Sequence, residues 1–146
     1  MLTASGYGWT DRGPKALKKL MIKADKKFTK LVKKERIQAI AFSGSSGAAL
    51  AFPLALKHEL PVIYVRKVGE KSHGYNVEFN GAGSGLRYII VDDFIDTGST
   101  VERIYKKIQK EDKTMICIGA FLYDDNVCHG DDVQLNSKLT LKVFGV

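Results

Sequence analysis

One short stretch of the chain gathers most of the residue types that chemistry needs. Asp92-Asp93 are adjacent carboxylates, and Thr97-Gly98-Ser99-Thr100 follow them within a few positions. Two neighbouring carboxylates can accept hydrogen bonds from the vicinal hydroxyls of a ribose and hold a hydrated Mg²⁺ through water. A Thr-Gly-Ser-Thr turn that opens a helix offers unpaired backbone N–H groups and hydroxyls to a dianionic phosphate, with the helix dipole pointing the same way. Gly98 lets the backbone approach such a ligand closely. Capping alone would account for Thr97 or Ser99. It does not account for an apolar run, Tyr88 to Val91, followed in order by two carboxylates and a phosphate cradle.

The elements that must position these groups alternate in type. Leu17, Leu20, Met21, Ala24, Phe28, Leu31 and Val32 recur at helical spacing. Ile37 to Phe42 then reads as a strand, Ser43-Gly44-Ser45-Ser46-Gly47 as a tight loop, and Ala48 to His58 as a small-residue helix. Leu60-Pro61 stops it, and Val62 to Val65 is a strand closed by Arg66-Lys67. Val68 to Gly85 is polar and rich in glycine, a long connection of the kind that is usually functional or disordered. Tyr88 to Val91 is a third strand, and Ser99 to Lys110 a helix with Val101, Ile104 and Ile108 on one face. Met115 to Tyr123 is a fourth strand, Asp124 to Ser137 a polar connection, and Leu139 to Phe144 a last strand. Alternating strands and helices predict an α/β fold, doubly wound, with a mostly parallel sheet of about five strands. In such sheets ligands bind beyond the carboxyl ends of the strands. Ser43 to Gly47, Arg66-Lys67 and Asp92 to Thr100 all follow strands directly, so one site can be built from three loops.

With 146 residues and 45% hydrophobic content, one domain spanning 1–146 is expected. Cys117 and Cys128 make no disulfide framework, and no Cys or His cluster has zinc-site spacing. Cys117 reads as a core residue, and Cys128-His129 could bind a metal only with partners that the sequence does not show. Met1 to Gly13 lacks the apolar core of a signal peptide and no run is long enough to span a bilayer, so a reducing cytoplasm is expected and no membrane. The formal charge is +7, and nine of the 23 Lys and Arg residues are lysines between Lys15 and Lys34. They form either the solvated side of an amphipathic helix or a surface for nucleic acid or another acidic partner. His58 reads as a cap at the end of its helix.

The segment Arg87 to Thr100 closely resembles the motif by which type I phosphoribosyltransferases bind phosphoribosyl pyrophosphate (PRPP). The resemblance covers roughly Gln38 to Phe121. It implies that fold with a small hood, Mg²⁺ as cofactor, PRPP and a nucleobase as substrates, and a homodimer; a nucleic-acid partner is not part of it. By position, Asp92 and Asp93 would grip the ribose hydroxyls, and Asp96, Thr97, Gly98, Ser99 and Thr100 would wrap the 5′-phosphate. Ser43 to Gly47, with Ser45 and Ser46, stands where the family has its pyrophosphate loop, and Arg66-Lys67 matches its basic pair. Val68 to Gly85 corresponds to a mobile loop that closes over the reacting centre. Its Lys71-Ser72-His73-Gly74 is similar to the Lys-x-His-Gly of orotate phosphoribosyltransferases, which implies catalytic roles for Lys71 and His73 beside Asp92, Asp93 and Asp96.

The resemblance leaves the base open between orotate and a purine. Asp96 stands where 6-oxopurine enzymes carry a general base, whereas the loop is of the orotate type. Leu122-Tyr123-Asp124-Asp125 lacks the base-reading lysine of the 6-oxopurine enzymes. Met1 to Gly13, with Tyr7 and Trp9, and Asp124 to Ser137 are the candidates for the hood. Two readings follow: an enzyme of nucleotide synthesis or salvage, or a PRPP-sensing regulator on the same fold that binds RNA through the lysine-rich helix. A dinucleotide-binding protein is disfavoured, because no Gly-x-Gly-x-x-Gly follows the first strand.

Overall fold

In the computed structural model, residues 13–70, 74–93, 95, 97–123, 133–135 and 139–146 are described. Helix α1 (Pro14–Glu35) precedes β1 (Ala39–Phe42), α2 (Gly44–His58), β2 (Val62–Val65), β3 (Val77–Asn80) and β4 (Arg87–Asp92). Then come α3 (Ser99–Glu111), β5 (Ile116–Leu122), β6 (Val133–Leu135), β7 (Leu139–Leu141) and β8 (Val143–Gly145). The main sheet runs in the order β3-β2-β1-β4-β5-β8, and β6-β7 form a separate pair. Strands β2, β1, β4, β5 and β8 are parallel, and only β3 runs antiparallel, to β2.

Both faces of the sheet are covered, which is why its strands are nearly continuous apolar runs rather than alternating ones. Ile40, Phe42, Ile89 and Val91 face α1 and α2 and pack with Leu20, Phe28, Leu50 and Leu54. Ala39, Ala41, Tyr88 and Ile90 face α3 and pack with Val101, Ile104 and Ile108. Phe28 meets Phe121 edge-on, with ring centroids 5.2 Å apart. The buried side of α1 is Leu20, Ala24, Phe28 and Leu31, and its nine lysines are all exposed, so the helix is amphipathic, as both a solvated face and a partner surface require.

Four features differ from the sequence reading. The Ser43–Gly47 segment is not a free loop, because α2 begins at Gly44 with Ser43 as its N-cap. The stretch from Val68 to Gly85 contains β3, a short edge strand whose register pairs Val65 with Val77. Four residues flanked by glycine-rich turns give too little periodicity to detect. The expected last strand is two, since β7 pairs antiparallel with β6 while β8 turns into the main sheet beside β5. The main sheet therefore has six strands rather than five. Finally, His58 does not cap its helix end: its ring is 3.0 Å from the Asp25 carboxylate on α1 and edge-on to Phe28. Lys57 pairs with the same carboxylate, and the two bonds tie α2 to α1.

A bulge in β5 lies beside β4, where the register passes from Cys117 to Gly119. Gly119 has φ +149, and a Cβ there would stand 2.3 Å from the Lys142 carbonyl oxygen, which accepts the Ala120 N–H at 2.9 Å. The close approach admits only glycine. Gly119→Ala is expected to destabilise the protein by about 2 kcal/mol through backbone displacement at the β5–β8 junction. Urea unfolding reads this directly, and an unchanged midpoint would show that the junction relaxes freely.

Candidate active site

The carboxyl ends of β1, β2 and β4 open on a pocket of about 250 Å³. Ser43 and Ser46 line it from the β1–α2 junction, Lys67 from the end of β2, and Asp92 and Asp93 from the end of β4. Ile95, Thr97, Gly98, Ser99, Thr100 and Val101 complete it. Three segments that are far apart in the chain thus converge, because parallel strands bring their carboxyl ends to one edge.

Asp92 and Asp93 sit at 5% and 4% exposure. Asp92 Oδ1 accepts the Ser46 hydroxyl at 3.1 Å and the Asp93 N–H at 3.0 Å. Burial, reinforced by the adjacent Asp93 carboxylate, raises the Asp92 carboxyl to about 7. Ser46 is itself held from behind, since Tyr123 donates its hydroxyl to the Ser46 carbonyl at 2.6 Å.

The other side of the pocket is built to attract negative charge. Gly98, with φ +80, is the N-cap of α3 and supplies no side-chain cap, so the first turn of the helix faces the pocket. Thr97 donates its hydroxyl to Ser99 Oγ at 3.0 Å and accepts the Ser99 N–H at 3.3 Å, which folds the turn into a cradle of hydroxyls. At the second helix start, Ser43 makes no capping bond either. Lys67 lies directly over Gly44: a Cβ at Gly44 would be 2.8 Å from the lysine nitrogen. Gly44, with φ +73, is favoured there by its backbone conformation, which L side chains rarely adopt.

Arg66, by contrast, does not line the pocket. Its guanidinium pairs with Glu78 on β3 and lies over the Tyr64 ring, 5.1 Å from the centroid. Gly44 and Ser45 line a neighbouring groove of about 360 Å³ together with Phe42, Phe52 and Tyr64. Lys71, His73 and Asp96 lie outside the described residues, as do Cys128-His129, 1–12 and most of 124–137. Cys117 packs against the core on the α3 side, where burial pushes its thiol up to about 11. The sequence reading missed Tyr123, Ile95, Arg103 and Lys107. Only the last two left a signal: they are cations one helical turn apart, directly after the Thr97–Thr100 turn.

No family model matches the chain. An adenine phosphoribosyltransferase from Treponema denticola is 29% identical over 89 residues, which are 51% of this chain and 47% of the relative. The chain thus matches about half the length of that curated relative. Among solved structures, orotate phosphoribosyltransferase from Aeropyrum pernix superposes with a TM-score of 0.67 at 18% identity, over 91% of this chain and 71% of that one. Adenine phosphoribosyltransferase from Saccharomyces cerevisiae, solved with an imino-altritol bisphosphate and adenine, gives 0.61 at 23% identity, over 92% and 80%. The chain has the type I phosphoribosyltransferase fold.

The raised Asp92 carboxyl has a consequence for stability. In the unfolded chain the group ionises near 3.8, and in the ligand-free folded protein only near 7. Between those values the unfolded form sheds its proton first, so stability falls as pH rises, and above about 7 the loss is constant. Asp92→Asn removes this liability while keeping an oxygen for Ser46 and the Asp93 N–H. The variant's melting temperature should match wild type near pH 4 and exceed it increasingly toward pH 7.5. Parallel melting curves across that range would refute the burial of an ionisable pair.

Proposed function

From the type I phosphoribosyltransferase fold, we propose that the chain transfers ribose 5-phosphate from PRPP to a ring nitrogen of orotate or a purine and releases pyrophosphate. One observation carries this reading. A buried carboxylate pair, an open helix N-terminus with a hydroxyl cradle, and a lysine over a second helix N-terminus all face one pocket. PRPP presents the matching groups: vicinal hydroxyls, a 5′-phosphate and a pyrophosphate.

In the reaction, the base nitrogen forms a bond to C1′ while the bond from C1′ to the pyrophosphate oxygen breaks, and the electron pair leaves on pyrophosphate. Asp92 and Asp93 hold the 2′ and 3′ hydroxyls, and Thr97 to Thr100 hold the 5′-phosphate at the start of α3. The phosphate keeps its charge throughout, so this cradle binds substrate and transition state alike. Lys67 and the first turn of α2 receive the pyrophosphate. Lys71, delivered by the loop between β2 and β3, stabilises charge on the leaving group. Asp96 serves as base toward the incoming ring, and His73 stands with Lys71 on the same loop.

The residues fit Mg²⁺. Two adjacent carboxylates that repel each other are relieved by a divalent cation, and Mg²⁺ usually keeps several of its waters. Asp92 and Asp93 would reach the ion through water. Bound there, it would neutralise charge on the pyrophosphate as that group departs.

Incubation with PRPP, Mg²⁺ and a panel of bases, followed by assay of released pyrophosphate, tests the reading and names the base. Asp92→Asn with Asp93→Asn should abolish turnover and weaken PRPP binding in a folded protein. Unchanged PRPP affinity in that double variant would remove the assignment. PRPP binding by wild type with no turnover on any base would turn the protein into a PRPP sensor.

Lys71 separates catalysis from binding. Lys71→Ala removes an interaction made chiefly in the transition state, so kcat should fall by about 10²-fold or more. Equilibrium affinity for PRPP should stay close to wild type, since Asp92, Asp93 and the Thr97–Thr100 cradle are intact. Full kcat in Lys71→Ala would show that the loop supplies no catalytic charge.

A further inference from the structure

Beyond the strand ends the pocket's pyrophosphate side is held by few bonds: the Arg66 N–H reaches the Asn76 carbonyl at 3.0 Å, and the Lys67 N–H reaches Glu70 Oε2 at 2.8 Å. Ser43 and Arg66 lie just past the ends of β1 and β2, and the residues that follow them, Gly44 and Lys67, are the pair that meets there. Arg103 on α3 reaches both segments. Its Nη2 donates to Ser43 Oγ at 3.1 Å and its Nη1 to the Arg66 carbonyl at 3.3 Å. Lys107, one turn further along α3, donates to the same carbonyl at 2.7 Å.

We propose that Arg103, supported by Lys107, is a positioning residue for pyrophosphate: it ties the segments after β1 and β2 to α3 and so holds Lys67 against Gly44. The assignment rests on the reading of the pocket as a PRPP site. Two further observations support it. A serine at an N-cap ordinarily bonds an amide of its own helix. Ser43, at 2% exposure, makes no such bond and accepts from Arg103 instead, which leaves the α2 amides open to an anion. In addition, Arg103 and Lys107 bring two positive charges to one carbonyl beside Lys67, which adds to the attraction of this end of the pocket for an anion. The fork matters because a guanidinium can serve two acceptors in fixed directions, which an ammonium cannot.

Calorimetric titration of the folded protein with pyrophosphate and, separately, with ribose 5-phosphate tests this. Arg103→Met should weaken pyrophosphate about tenfold or more, the scale of losing a charge-assisted hydrogen bond. Ribose 5-phosphate should change by less than about twofold, because its cradle at the start of α3 is untouched. Arg103→Lys, which keeps the charge but not the fork, should fall between Arg103→Met and wild type. If Arg103→Met does not fold, Lys107→Met provides the same selective loss in milder form. The proposal is overturned if the folded variants bind pyrophosphate as wild type does, if both ligands weaken equally, or if Arg103→Lys is fully competent. Wild-type protein that binds neither ligand overturns the PRPP reading, and this assignment with it.

Discussion

Two carboxylates buried side by side at the end of a central strand are the constraint on which this site turns. Asp92 and Asp93 are almost inaccessible, and burial, reinforced by the neighbouring carboxylate, holds a proton on Asp92 well above the usual carboxylate range. A fold does not gain stability from such a pair. It is tolerated because β4 lies between β1 and β5, so its carboxyl end is fixed from both sides, and because Ser46 and the Asp93 amide both donate to Asp92 Oδ1. The Tyr123 hydroxyl in turn fixes Ser46 through its carbonyl. A cation or a hydrogen-bond donor brought to the pair would offset this cost, which makes the proposed site receptive to such a ligand.

The opposing wall answers with positive potential that is local. Nine lysines lie on α1 together with the acids Asp25 and Glu35, so of the 23 basic and 16 acidic residues in the chain the remainder holds 14 of each sign. The net charge of +7 therefore resides on a helix that contributes no residue to the pocket. The positive potential at the pocket instead comes from two helix N-termini and Lys67, with Arg103 and Lys107 close behind. Helix α3 does double duty: its first turn lines the pocket with hydroxyls, and its next turns hold the segments beyond β1 and β2.

The chain by itself determined a good part of this. The apolar runs with helices between them required a parallel sheet covered on both faces, and hence a site at the carboxyl ends of the strands. The order of Asp92-Asp93 and Thr97 to Thr100 was enough to place a carboxylate pair before a hydroxyl-rich helix start on one pocket, because both features are local and depend only on neighbouring residues. The solvated lysine face of α1 was legible for the same reason, since helical spacing encodes which side is buried.

Tertiary structure decided what depends on contacts across the sequence. That Lys67 rather than Arg66 faces the pocket follows from Glu78 on β3, a strand too short to announce itself, which draws the guanidinium away. That Ser43 begins a helix, and gives its hydroxyl to Arg103 instead of to that helix, follows from a residue 60 positions further along the chain. The break between β7 and β8 was likewise invisible, because each half pairs with a different partner strand and only the assembled sheet supplies the choice. Spacing along a chain encodes faces and turns, but the direction in which a long cationic side chain points is set by whichever acceptor the fold brings near.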